Sequence, residues 1–238
     1  DYFIHWAKNE GNEGLLNHIF DEGIDLSKAA IEFQTSEIFV HANIRANHRG
    51  ETTLNGLYAA GDEVFATISH AAVFGRSAGE NAVRYAEKLR RPDTSPLLPE
   101  IEEKKAFFEE IMSREEGAPW QEAIAALQQV MQDYCGAIRS EALLAAGLNT
   151  LRRLKIKAHA SLVAANAHEL MHCQQTLNLM DIGELVLLGA LDRKETREWH
   201  VRSDYAYTDP TLSDKLHVVR QVKGQPELSW VTAQVGVV

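Results

Sequence analysis

Apolar positions in the second half of the chain recur with a helical period. Trp120, Ile124, Leu127, Met131, Cys135 and Ile138 fall three or four residues apart, as do Leu144, Leu148, Leu151 and Leu154. Ser140 stands between the two runs, where its hydroxyl can cap the second helix. Two more amphipathic stretches, about 160–178 and 181–197, complete a predicted bundle of up-down helices. The tail, KLHVVRQVKGQPELSWVTAQV, predicts a β-hairpin around Gly224 to Pro226.

Ahead of the bundle the period changes. Residues 31–60 read as short strands, EIFVHANI and GLYAA, separated by the polar turn RANHRGETT. Pro92, Pro96 and Pro99 in RRPDTSPLLPE can neither continue a helix nor join a central strand, and they mark the predicted boundary. The expected class is mixed α+β. A strand-containing part over 1–91 is followed by a Pro-rich linker over 92–99, a helical domain over 100–200 and a tail with the hairpin over 201–238.

A chain of 238 residues can bury a sizeable core. Its formal charge of -10, with no basic stripe, argues against an electrostatic grip on nucleic acid or on an anionic membrane surface. No apolar run approaches the length of a membrane span. Cys135 and Cys173 lie in helical patterns, which suits buried thiols in a reducing compartment, so a cytoplasmic location is expected. The chain opens without methionine, in DYFIHWAKNEGNEGLL, and reads as part of something longer.

The candidate chemistry begins at GLYAAGDEVFATISHAAVFGRSAGENAVRYAEKL, residues 56–89. A short apolar strand here ends at Gly61 and presents Asp62 and Glu63 at its carboxyl end, the edge at which α/β proteins bind ligands. Thr67 or Ser69 can cap the helix that follows, whose start carries a partial positive charge. Ala71, Ala72, Gly75, Ala78 and Gly79 would let that helix approach a neighbour or a flat ligand closely, although mere packing explains the same pattern.

This stretch resembles the C-terminal FAD-binding signature of the succinate dehydrogenase/fumarate reductase flavoprotein family, to which adenylylsulfate reductase α subunits also belong. GIDLSKAAIEFQTSEIFVHANI, residues 23–44, is similar to the family segment entering its substrate-site strand. LGALDRKETREWHVRSDYAYTD resembles its R-x-E-S-R-G-x-H-x-R-x-D-Y element at Arg193, Glu195, Arg197, His200, Arg202, Asp204 and Tyr205, a largely structural element in the family. The resemblance implies the end of an α/β FAD-binding domain followed by a helical C-terminal domain. It also implies FAD as cofactor, hydride transfer between a small-molecule substrate and the flavin, and an iron–sulfur electron-transfer subunit as partner. It places Gly61, Asp62, Thr67 and Ile68 against the flavin, with Asp62 on the ribityl chain and the helix start at the ring's N1/O2 edge.

Two departures bear on substrate. The family's dicarboxylate-handling histidine falls on Ile38 and its Gly-Gly on Ala42 and Asn43. Between Glu63 and Thr67 the chain lacks roughly ten residues that carry the family's N-R-L-G-G arginine. A site without those groups cannot stabilise charge on a reacting dicarboxylate, so succinate and fumarate are not the expected substrates. The short loop and the aspartate look more like the adenylylsulfate reductase branch. His41, His48 and His70 can replace the lost chemistry, His70 being the candidate catalytic residue because it falls at the first helical turn. No G-x-G-x-x-G follows a strand, so the chain by itself is expected to bind little FAD.

Two other function classes compete. HELMH, residues 168–172, fits H-E-x-x-H: His168 and His172 one helical turn apart can share zinc, with Glu169 as base and Glu184 or Glu195 as third ligand. A polar helix face bearing two solvated histidines fits as well. EIEEKKAFFEEIMSREE carries an apolar stripe of Phe107 or Phe108, Ile111 and Met112, which serves either partner docking or the bundle core.

Overall fold

The computed structural model describes residues 2–9, 11–29, 43–61 and 68–233. They divide into two compact units, 1–36 and 37–238. The first holds helices α1 (Tyr2–Asn9) and α2 (Glu13–Asp21), the latter burying Leu16 and Ile19 at its apolar positions.

The second unit is dominated by helices. Helix α3 (Ile68–Ala86) carries the small-residue stretch, and α4 (Leu98–Ser113) follows a 3-10 turn with Pro99 in its first turn, where proline's missing N–H has no helical partner to lose. The Pro-rich segment expected to link domains therefore already enters α4 at Leu98. Helices α5 (Trp120–Tyr134), α6 (Glu141–Ser161) and α7 (Ala167–Asp192) form the centre. Their heptad-like positions Leu127, Val130, Leu144, Leu148, Leu151, Cys173, Leu177, Met180 and Leu187 make one contiguous core, which Ile111 of α4 enters at 1% exposure. Two glycines set the spacing. A Cβ at Gly147 would lie 2.4 Å from that of Tyr134, and one at Gly183 would meet Leu151 and Met131 at 3.2 Å.

Ser140 caps α6 as expected, its hydroxyl accepting from Leu143 N at 3.4 Å. Three expectations need correction. The two amphipathic stretches split near residue 180 are one helix, α7: Gly183 is a contact point against α5 and α6 rather than a break, and Asn166 starts the helix by accepting from Glu169 N. The first run ends at Tyr134, so Ile138 is 67% exposed and lies on β1 (Ile138–Arg139), which pairs in parallel with β2 (Val201–Arg202). GLYAA is not a strand. Leu57 is half exposed, and the segment makes a single bridge, Tyr58 to Glu51, there being no flanking strand among the described residues to complete a ladder. EIFVHANI lies mostly outside the described residues.

The tail is an antiparallel hairpin of β3 (Lys215–Val222) and β4 (Gln225–Thr232). Its two-residue turn is Lys223–Gly224, both at positive φ, the geometry that matches strand twist. Pro226 is inside β4 opposite Gln221, tolerated because the ribbon has only edge strands. Among the described residues no helix is long and apolar enough to cross a membrane. Both cysteines are buried and unbridged, and burial pushes the Cys173 thiol up from its ordinary value.

Candidate functional site

Three groups of residues were candidates. At the first, Gly61 takes φ +89°, a conformation that a side chain would strain, and Ile68 is the first residue of α3 among the described residues, Thr67 and the residues before it back to Asp62 lying outside them. Ile68 is 91% exposed, and the half-buried His70 stacks on Phe74 with ring centroids 4.7 Å apart. Asp62 and Thr67 lie outside the described residues, as do Ile38, His41 and Ala42. His48 is exposed.

Helix α3 uses one face to hold the preceding segment. Asn81, buried, accepts from Arg49 Nη2 at 3.3 Å and donates to Arg49 O at 3.2 Å. Gly50 approaches Ala78 so closely that a Cβ would sit 2.5 Å from the alanine's. On the face bearing Gly75 and Gly79, nothing among the described residues lies within 4 Å of an added Cβ. That open, small-residue face, with Ile68 and Val83 exposed along the same helix, fits close approach by a flat group or a neighbouring chain segment.

The second group, around Arg193 to Tyr205, is a knot of paired charges. Glu195, fully buried, accepts from Arg193, from Arg197 Nε at 2.9 Å and Nη2 at 3.0 Å, and from Asp209 N at 2.8 Å. Burial pushes its carboxyl up, but these donors outweigh burial and hold it below the usual range. Arg202, also fully buried, grips both oxygens of Asp204 at 2.8 Å and donates to Ala190 O at the end of α7. Asp204 in turn accepts from Glu141 N at the start of α6, and the Arg202 guanidinium holds its carboxyl far below the ordinary carboxylate value.

His200 sits between Arg139 Nη1 and Arg193 O, both at 3.0 Å. A guanidinium only donates, so Nδ1 accepts and Nε2 donates to the carbonyl, fixing a neutral tautomer. Burial, with Arg139, Arg193 and Arg202 nearby, pushes its pKa down. The knot ties the start of α6 to the end of α7, in keeping with a structural element. The buried Arg139 is essential to it, yet nothing in the sequence pattern marks it out: its partners are 61 and 64 residues away.

The third group separates. His168 and His172 meet at 3.2 Å between their Nε2 atoms. Glu169, however, is a cap residue, accepting from Ala165 N at 2.8 Å and Asn166 Nδ2 at 3.2 Å. Glu184 is on the same helix more than four turns further on, and is occupied by Arg152 at 2.8 Å and Lys155 at 3.1 Å. Glu195 is inside the knot. The expected base and third ligands are therefore not at the histidines, and no group of three or more His, Cys, Asp or Glu able to hold a metal occurs among the described residues. The α4 stripe divides similarly: Ile111 and Phe107 pack into the core, while Met112 is 46% exposed.

Comparison with known proteins gives one consistent family. The domain family described as "Fumarate reductase flavoprotein C-term" matches residues 124–237. The fumarate reductase flavoprotein subunit of Proteus vulgaris is 24% identical over 202 residues, covering 79% of this chain and 34% of the relative. L-aspartate oxidase of Vibrio cholerae is 25% identical over 214 residues, covering 83% and 38%. Adenylylsulfate reductase from Archaeoglobus fulgidus shares the fold at a TM-score of 0.66 with 24% identity, covering 79% of this chain and 33% of that one. The chain thus spans about a third of the length of the curated relatives it matches. Taken together the three do not favour the adenylylsulfate reductase branch over the others.

Proposed function

Since this chain belongs to the succinate dehydrogenase/fumarate reductase flavoprotein family, carrying that family's C-terminal domain over residues 124–237, we propose that it is the C-terminal part of an FAD-dependent oxidoreductase. Residues 1–91 close the flavin-binding domain and the helices from α4 onward form the family's helical domain. The observation that carries this reading is the match of residues 124–237 to the family's C-terminal domain, which is supported by the GLYAAGDEVFAT segment that resembles the flavin signature and precedes α3 in the chain.

FAD, when bound, supplies hydride acceptance and donation at its ring. The chain's own part is to hold and polarise. Gly61 ends the incoming segment, Asp62 would accept from the ribityl hydroxyls, and Thr67 and Ile68 would present N–H groups to the ring edge ahead of the helix. The positive end of the helix dipole favours negative charge at the ring edge, which raises the affinity for the reduced state. His70, on the same turn, is the candidate to hold a proton for substrate.

The substrate is a small molecule other than succinate or fumarate, because Ile38 and the short Glu63–Thr67 loop remove the two groups that grip dicarboxylates. Electrons pass to or from an iron–sulfur subunit. The test is a dye-linked assay on the flavin-loaded, full-length protein. Succinate oxidation and fumarate reduction are expected at the level of a flavin-free control. Turnover of either at ordinary enzymatic rates, about 1 per second or faster, would overturn the substrate assignment while leaving the cofactor assignment to its own measurement.

A further inference from the structure

We propose that His168 and His172 form a two-histidine site for a borderline divalent transition-metal ion, of the Cu2+, Ni2+ or Zn2+ class, outside any peptidase chemistry. The two residues are one turn apart at the start of α7, and their Nε2 atoms are 3.2 Å apart with the rings nearly perpendicular at 88°. Metal–imidazole bonds of about 2.0–2.1 Å meeting at roughly 90–110° place two nitrogens about 2.9–3.4 Å apart, so the apo geometry already falls in the chelating range.

Two further contacts fix the inner histidine. His172 Nδ1 is 3.0 Å from Gln175 Oε1. An amide oxygen only accepts, so Nδ1 carries the proton and Nε2 keeps a lone pair, which accepts from His168 Nε2–H in the metal-free site and is freed for a metal when that proton moves to His168 Nδ1. The ring also stacks on Trp120 of α5, centroids 4.2 Å apart and 20° from parallel, in a groove lined by Ile124, Thr176 and Leu179. That packing limits ring rotation before any ion arrives, while His168 stays exposed and accessible.

Because Glu169 is spent on capping and no third His, Cys, Asp or Glu ligand joins the pair among the described residues, solvent completes the coordination. The site is therefore open and exchangeable rather than a closed structural one. It follows the Irving–Williams order, Cu2+ above Ni2+ and Zn2+, and ignores hard cations such as Mg2+. An ion bridging positions one turn apart also clamps the first turn of α7, whose histidine is already stacked on α5.

The test is calorimetric titration of the untagged full-length protein that contains this chain, freed of metal by chelator, with Cu2+, Zn2+ and Mg2+. One Cu2+ per chain at micromolar concentrations, weaker Zn2+ and no Mg2+ are expected. H168Q and H172Q each weaken Cu2+ binding at least tenfold, and the double variant abolishes it. Trp120→Phe keeps the affinity but loses the Cu2+-induced quenching of tryptophan fluorescence. Absence of Cu2+ binding by the wild-type chain, or equal binding by the double variant with an unchanged circular dichroism spectrum, would overturn the proposal.

Discussion

Glu195 has no exposed surface, two guanidinium partners at its oxygens and a backbone N–H besides. Removing one member of a buried pair leaves the others desolvated and uncompensated, a loss of about 3–5 kcal/mol. Glu195→Gln is accordingly expected to lower stability by that amount in urea unfolding, although it touches no proposed flavin contact. A loss below about 1 kcal/mol would mean that the guanidinium groups find solvent instead. Ser140→Ala is a milder case. It removes the α6 cap and should cost about 1 kcal/mol.

At the scale of elements, close helix contact depends on missing side chains. Gly147→Ala would press a methyl group into Tyr134 and Leu187 between α6 and its neighbours, an overpacking cost of about 1–3 kcal/mol measurable by thermal unfolding. The hairpin depends on one ring. Trp230 donates to Asp192 Oδ2 at 2.9 Å, stacks on His217 at 4.4 Å and lies under the Arg193 guanidinium at 4.7 Å, which docks β3–β4 on the end of α7. Trp230→Ala should speed amide exchange across residues 215–232 and leave α5 to α7 protected. Faster exchange throughout the helices would show instead that the hairpin supports the core.

These elements also show what the sequence could disclose. The 3.6-residue period, the Ser140 cap and the Gly224–Pro226 turn signal are local, and the helices of the core and the hairpin follow from them, although the turn itself falls at Lys223–Gly224. The continuity of α7 was not legible because what the helix packs against, Leu151 of α6 and Met131 of α5 at Gly183 among them, comes from elsewhere in the chain. GLYAA could not be judged locally, since a strand is made by its neighbours. The Arg193–Tyr205 knot was legible as a motif, but Arg139, its partner from far along the chain, was not.

For the whole molecule two partly buried histidines set an acid limit. Burial lowers the pKa values of His200 and His217 in the fold. Below about 6.5, the ordinary histidine value, the unfolded chain binds protons that the native state refuses, so stability falls as pH drops towards the folded values. Glu184, Glu195 and Asp204 have folded pKa values below their ordinary ones. Their contribution is intact above about 4.5 and is lost as pH falls further through the folded values. The melting temperature should therefore drop in two stages, the first beginning near pH 6.5. A flat profile from pH 7.5 to 5 would contradict the partly buried, neutral state of both histidines.

The central claim is that this chain completes a flavin site at the start of α3. The most direct measurement is the visible absorption spectrum of the full-length protein containing it, wild type against Asp62→Ala. A band near ~450 nm at about one flavin per chain, diminished in the variant while the fold is kept, is the predicted result. A properly folded full-length protein with no flavin, or with flavin retained equally by the variant, would contradict it.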